Sequence, residues 1–274
     1  MARSVAGRWR GRRARRPRGL LLAGTFATVL GLAACSTPAP SRHVTLPTTP
    51  RSGSAPTTAP TTTTAPTTTT TTTNPASSYL SEGSSGPAVL ALQQRLSSLG
   101  YWLGTPDGTF GDATEQAVYA LQKAAGIERD GIVGPVTEAA LTKGVVPTPQ
   151  STSGYVVEVD LHDDLLMVVD NGQLKYTLNT STGGGYWYTD DGVTALAETP
   201  TGHFSIIRQV DGMVVDSLGE LWMPKFFYEG FAIHGDSDVP AEPVSHGCVR
   251  VSDEAIEWIW ADDVIPIGTS VWIY

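Results

Sequence analysis

Cysteine is nearly missing from this chain of 274 residues; Cys35 and Cys248 are the only two, too few for a disulfide framework. Basic residues are also scarce beyond the first stretch. Eight of the 18 Lys and Arg are arginines that precede Gly19, and the ten that remain face 27 Asp and Glu, a formal balance of −17. So acidic a body argues against nucleic acid as a partner and against holding a membrane through basic contacts. The apolar run from Gly19 to Ala34 is too short to span comfortably, since a bilayer helix needs about 20 apolar residues. Between Thr37 and Ser78 large apolar side chains give way to Thr, Pro, Ala and Ser. Such a stretch cannot bury enough surface to offset its chain entropy, which predicts a disordered, semi-extended tether. At about 3.1 Å per residue, some 40 residues would reach on the order of 100 Å.

What is present begins with an arginine-rich leader, Met1 to Arg18, followed by Leu20-Leu21-Leu22, Phe26 and Val29-Leu30. The run closes in Leu32-Ala33-Ala34-Cys35-Ser36, which resembles a bacterial lipobox. Residues 1–34 then read as a signal peptide and residues 35–78 as a linker. Cleavage before Cys35 would leave a lipidated cysteine that anchors the protein to the cell membrane, on the extracytoplasmic side of the envelope. An ordinary cleaved signal is the alternative. In either case Cys248 is left as a lone thiol, inert or reactive.

Residues 79–143 read as a small all-helical module. Val89, Leu90, Leu92, Leu96 and Leu99 recur at helical spacing, as do Ala117, Val118 and Leu121. Two segments echo each other 23 residues apart, Asp107-Gly108-Thr109-Phe110-Gly111 and Asp130-Gly131-Ile132-Val133-Gly134, each followed by a Thr-Glu pair. Asp-Gly predicts a turn, and Thr-Glu falls where a helix should start. Turn chemistry explains Asp107 better than calcium, because the carboxylate set of an EF-hand is missing. With Leu92-Gln93 and Leu121-Gln122 on the helices, the pattern resembles the three-helix peptidoglycan-binding domain found beside many wall enzymes. Tyr101, Trp102 and Phe110 are candidates for its ligand surface or for its core.

From Tyr155 the period switches to two. Tyr155 to Asp160 and Leu165 to Val169 read as a hairpin, Asn171-Gly172 as a turn, and Ser270 to Tyr274 as a closing strand. Asp253 to Trp260 reads as a short helix capped by Ser252. Residues 154–274 should therefore form a mostly β, sandwich-like domain.

The chemistry concentrates in Ser245-His246-Gly247-Cys248-Val249-Arg250, with Ile233-His234-Gly235 upstream. A thiol is a good nucleophile only as thiolate, and a nearby imidazole can take its proton. His246, two residues away, and His234, fourteen residues upstream, are both candidates. Gly247 allows close approach of a substrate carbonyl, so that the amides of His246, Gly247 and Cys248 could face a developing oxyanion. The opposing reading is an inert buried cysteine beside two structural histidines.

This motif, together with Thr199-Pro200-Thr201-Gly202-His203-Phe204, resembles the L,D-transpeptidases of bacterial cell-wall synthesis, the YkuD-type catalytic domain. The resemblance implies that Cys248 is the nucleophile, His234 its base, and the Gly235 carbonyl the group that orients that base. Gly247 and Cys248 would supply oxyanion donors, while His246 and Ser245 shape the pocket. Peptidoglycan stem peptides would be the substrate, no cofactor or metal is implied, and carbapenems should acylate the thiol. A flap and aromatic residues cover the acyl donor in that family, which places Trp222 and Tyr228 near the pocket. The loop Gly183 to Tyr188 is a second candidate for substrate choice. Two departures are Gly235, where Ser or Thr is common, and Arg250, where Asn is common. Arg250 could bind a substrate carboxylate or pair with an internal acid such as Asp236. Two rivals stay open: a zinc hydrolase using His234, Asp236, His246 and Cys248, and a non-catalytic wall-binding lipoprotein.

Overall fold

A computed structural model describes residues 79–274. The leader, Cys35 with its lipobox-like sequence, and the Thr/Pro-rich stretch lie outside the described residues. The described chain starts with three helices, α1 (Pro87–Ser98), α2 (Asp112–Ala125) and α3 (Pro135–Lys143). Val89, Leu92 and Leu96 of α1 pack with Ala117, Val118 and Leu121 of α2, as the helical spacing predicts.

Two buried glutamines explain the internal echo. Gln93 turns its Nε2 toward Asp107 Oδ1, the Thr109 carbonyl and Thr114 Oγ1 at 2.9–3.1 Å, while its Oε1 accepts the amides of Asp107 and Gly108. Gln122 makes the same set with Asp130, the Ile132 carbonyl, Thr137 Oγ1 and the Gly131 amide. Each amide thus clasps one Asp-Gly turn and the first turn of the following helix. Gly108 and Gly131 have φ of 80° and 70°, a region costly for any side chain with a Cβ. The Asp107 and Asp130 carboxylates close these turns by accepting the amides of Thr109 and Ile132. Tyr101 and Phe110 are core residues, each 1% exposed.

The β half holds two five-stranded sheets. The first has the order β3-β2-β1-β12-β6, formed by β1 (Tyr155–Asp160), β2 (Leu165–Asp170), β3 (Gln173–Asn179), β6 (Gly202–Ser205) and β12 (Ser270–Ile273). The predicted closing strand, β12, is internal, parallel to β1 and antiparallel to β6. Asn171 and Gly172 have φ of 51° and 77°, the left-handed pair of a primed hairpin turn. The second sheet has the order β11-β10-β9-β7, with β8 paired to β9. Its strands are β7 (Arg208–Gln209), β8 (Met213–Asp216), β9 (Gly219–Tyr228), β10 (Phe231–Asp236) and β11 (Val249–Ser252). A separate hairpin joins β4 (Trp187–Asp190) to β5 (Val193–Leu196).

Val157, Val159, Leu166 and Val168 of the first sheet share one core with Ile233, Val249 and Val251 of the second. Helix α4 (Asp253–Ala261) adds Ile256 and Ile259 to it. Ser252 caps α4 by accepting the Ala255 amide. The helical half docks on the edge of the first sheet. Trp102 donates its amide to the Thr177 carbonyl, Thr177 donates to Gly100, and Trp102 stacks on Trp258 of α4 with ring centroids 5.2 Å apart. An edge strand that would otherwise offer free backbone groups is thereby covered.

Candidate active site

Strands β10 and β11 run parallel, with Ile233 beside Val249 and His234 beside Arg250. Side chains alternate along a strand. Ile233 and Val249 therefore enter the core, while His234 and Arg250 share the opposite face. Cys248 immediately precedes β11, two residues before Arg250. These three residues line a cavity of about 470 Å³, together with Ser245 and His246. The β8–β9 hairpin supplies the facing wall through Met213, Asp216, Leu221 and Trp222.

His234 is 4% exposed. Its Nδ1 lies 2.7 Å from the Gly235 carbonyl. A carbonyl only accepts, so Nδ1 carries the proton and Nε2 keeps a free lone pair. Burial pulls the imidazole below its ordinary pKa, against the opposite pull of that carbonyl. Gly235 is glycine for lack of room: a Cβ would lie 2.6 Å from Ile256 Cγ2 and 2.7 Å from Asp253 Oδ1. The residue whose carbonyl aims the imidazole is thus also the one on which α4 packs.

Cys248 is half-buried and is the free cysteine among the described residues. Burial pushes its thiol up to about 11; the Ala232 amide and Arg250 pull the other way, and Asp216 adds to the rise. Both shifts favour the uncharged forms, a neutral thiol and a neutral imidazole.

Ser245 builds the turn ahead of the cysteine. Its Oγ accepts the Gly247 amide at 2.9 Å and donates to the Cys248 carbonyl at 2.6 Å. This corrects the expectation for Gly247. Its N–H is taken by Ser245 and does not face an oxyanion, which leaves the His246 and Cys248 amides as candidates. Gly247 has φ of 133°, and a Cβ there would lie 2.5 Å from the Phe231 ring and 2.7 Å from the Glu198 carbonyl. Its own carbonyl accepts from Thr199 Oγ1 at 2.9 Å. The Thr-Pro-x-Gly-x-Phe segment thus reaches the turn that carries Cys248, a role its sequence did not disclose.

His246 stands edge-on to Tyr188 and Tyr186, with centroids 4.7 and 5.6 Å away. The aromatic loop therefore does flank the site, and Tyr188 lines it. Arg250 Nε sits 3.2 Å from Asp236 Oδ2, the internal pairing rather than a guanidinium left wholly for substrate. Trp222 lines the cavity and donates Nε1–H to Glu257 of α4.

Tyr228 does not line the cavity. Its ring packs on Phe204 of β6 and stacks on Phe231, because it ends β9 at the turn where the chain reverses into β10. His203 stacks on Trp272, a packing role. Asp216 was not legible in the sequence, since an acid at the end of an exposed hairpin strand carries no motif. Among the described residues no three His, Cys, Asp or Glu side chains converge as a metal set would require, and Asp236 is engaged by Arg250.

A family model described as the L,D-transpeptidase catalytic domain matches residues 154–273, and one for a peptidoglycan binding domain matches residues 85–141. The crystal structure of an L,D-transpeptidase from Xylanimonas cellulosilytica is 51% identical, with a TM-score of 0.71 over 73% of this chain and 100% of that one. An N-acetylmuramoyl-L-alanine amidase of Bacillus licheniformis is 38% identical over 119 residues, 41% of this chain and 33% of its own length. A zinc D-Ala-D-Ala carboxypeptidase of Streptomyces albus G is 48% identical over 66 residues, 22% of this chain and 25% of its own. The matched region spans a third or less of the length of these two curated relatives.

Proposed function

Because the chain belongs to the L,D-transpeptidase family, we propose that it cross-links peptidoglycan stem peptides through an acyl-enzyme on Cys248. The observation that carries this reading is that His234 and Cys248 line one cavity, with the imidazole proton held on Nδ1 by Gly235. In the first half-reaction Nε2 takes the thiol proton as sulfur attacks the carbonyl between the third residue and the terminal D-Ala of a tetrapeptide stem. Oxygen becomes anionic beside the Cys248 amide. The C–N bond breaks, D-Ala leaves with the proton returned from Nε2, and a thioester remains. In the second half the amine of a neighbouring stem attacks the thioester. His234 takes its proton and returns it to sulfur. Water in place of that amine would give L,D-carboxypeptidase action.

The reading extends to a protein held at the extracytoplasmic face by lipid on Cys35, supported by the lipobox-like sequence and by the wall-enzyme domains behind it. Intact mass after carbapenem treatment tests the nucleophile. Wild type should gain one adduct, and Cys248→Ala should gain none and release no D-Ala from a tetrapeptide. Turnover by Cys248→Ala would refute the reading. Loss of a fatty-acid label in Cys35→Ser tests the anchor.

A further inference from the structure

Lys123 of α2 is the one residue in the helical half whose charge is wholly enclosed in the β half. Its side chain is 0% exposed, and Asp164, its partner, is 1% exposed. The ammonium has three protons and three acceptors: the Asp164 carbonyl at 3.0 Å, Asp164 Oδ2 at 3.3 Å and the Thr180 carbonyl at 2.8 Å. The other carboxylate oxygen, Oδ1, accepts both the amide and the hydroxyl of Thr182.

The segment Thr180-Ser181-Thr182 is thus gripped from the helical side, and its other side is the nucleophile turn. Thr182 offers its carbonyl to the Ser245 amide at 2.9 Å. Thr180 Oγ1 donates to the Arg250 carbonyl at 2.6 Å, and Ser181 exchanges backbone bonds with Arg250. Ser245 in turn holds Gly247 and Cys248. A parallel line of contacts runs from α2 and the loop that follows it to the loop between His234 and Cys248. Gln116 donates to the Val239 carbonyl at 3.1 Å and Arg129 to the Ala241 carbonyl at 3.3 Å.

We propose that Lys123 is a positioning residue for the transfer reaction: by fixing Thr180 to Thr182, it makes the helical half set the nucleophile turn and with it the Cys248 amide. Burial disfavours both charges, pulling the lysine down to about 8 and pushing the Asp164 carboxyl up. An ion pair held at such a cost is a poor source of net stability, because an apolar replacement is often as stable. Placement of the turn accounts for it. A shift of about 1 Å at reacting groups costs about 100-fold in rate.

The proposal rests on Cys248 as nucleophile, so Cys248→Ala is assayed alongside. Two full-chain variants are compared with wild type: Lys123→Met, and Lys123→Met with Asp164→Asn, which removes both charges yet keeps an Oδ1 acceptor for Thr182. The single variant should unfold at a lower temperature, and the double variant should recover most of that loss. In both, kcat for D-Ala release should fall about 10- to 100-fold with KM within about twofold, since Lys123 does not line the cavity. A folded double variant with native kcat would overturn the proposal, as would failure of both variants to fold, which would make the pair a folding element only. Turnover by Cys248→Ala would instead sink the nucleophile assignment.

Discussion

Alkylation of Cys248 by iodoacetamide, followed from pH 6 to 11, separates a preformed thiolate from a thiol deprotonated only during attack. Burial pushes the thiol up to about 11. At pH 7 it would then be ionised in about one molecule in 10⁴, against about 3% for a free cysteine at its usual value near 8.5. Iodoacetamide reacts with thiolate alone, so labelling at pH 7 should run about 300-fold slower than for a small free thiol. It should gain about tenfold per pH unit and flatten only near 11.

Peptide turnover follows a different group. On the proposed mechanism it needs neutral His234, and burial lowers that imidazole. A lowered pKa keeps the base form populated into more acid solution. The acid limb of kcat/KM should therefore lie below the ordinary histidine value of about 6.5, well apart from the alkylation limb. His234→Ala should abolish turnover yet leave alkylation above pH 9 nearly unchanged. Rapid labelling at pH 7 with an inflection near 5 would refute the neutral pair and mean that an imidazolium–thiolate pair exists at rest.

Ser245→Ala removes the acceptor of the buried Gly247 amide, and an unpaired buried donor costs about 1–3 kcal/mol. The urea midpoint should fall accordingly, and kcat should drop as the turn loosens. Gly235→Ala forces a methyl against Ile256 and Asp253. Overpacking of about 1–3 kcal/mol, read by thermal unfolding, should come with loss of D-Ala release. Trp222→Ala should raise KM for the tetrapeptide, whereas Tyr228→Ala should leave KM unchanged and lower stability, because only Trp222 lines the cavity. A KM change of more than threefold in Tyr228→Ala would contradict that assignment.

The helices, the Asp-Gly turns and the presence of His234 and Cys248 in one cavity were legible because each has a local signature: apolar spacing, turn residues, or chemistry-bearing side chains in a fixed order. Gln93 and Gln122 were visible on their helices, but nothing local says that a buried amide will clasp a turn 8 or 14 residues later. Tyr228 misled because strand position does not reveal which aromatic a turn will rotate away. The Gly247 amide misled because Ser245, placed in the pocket wall from the motif, folds back on its own turn. Thr199, Asp216 and Lys123 act across sheets or between the two halves. Such contacts are decided by tertiary packing rather than by neighbours in the chain.

The docking of Trp102 and the chain around Tyr101 against β3 has a consequence for work at the wall. A wall-binding half on a slack joint would let its enzyme sweep a neighbourhood and act on any stem within range. Here the helical half and the candidate active site are parts of one casting. On the proposed function, a strand seized by the helices would present its stems at a set distance and tilt, and the enzyme would behave as a gauge, selecting where along the mesh a bond is made.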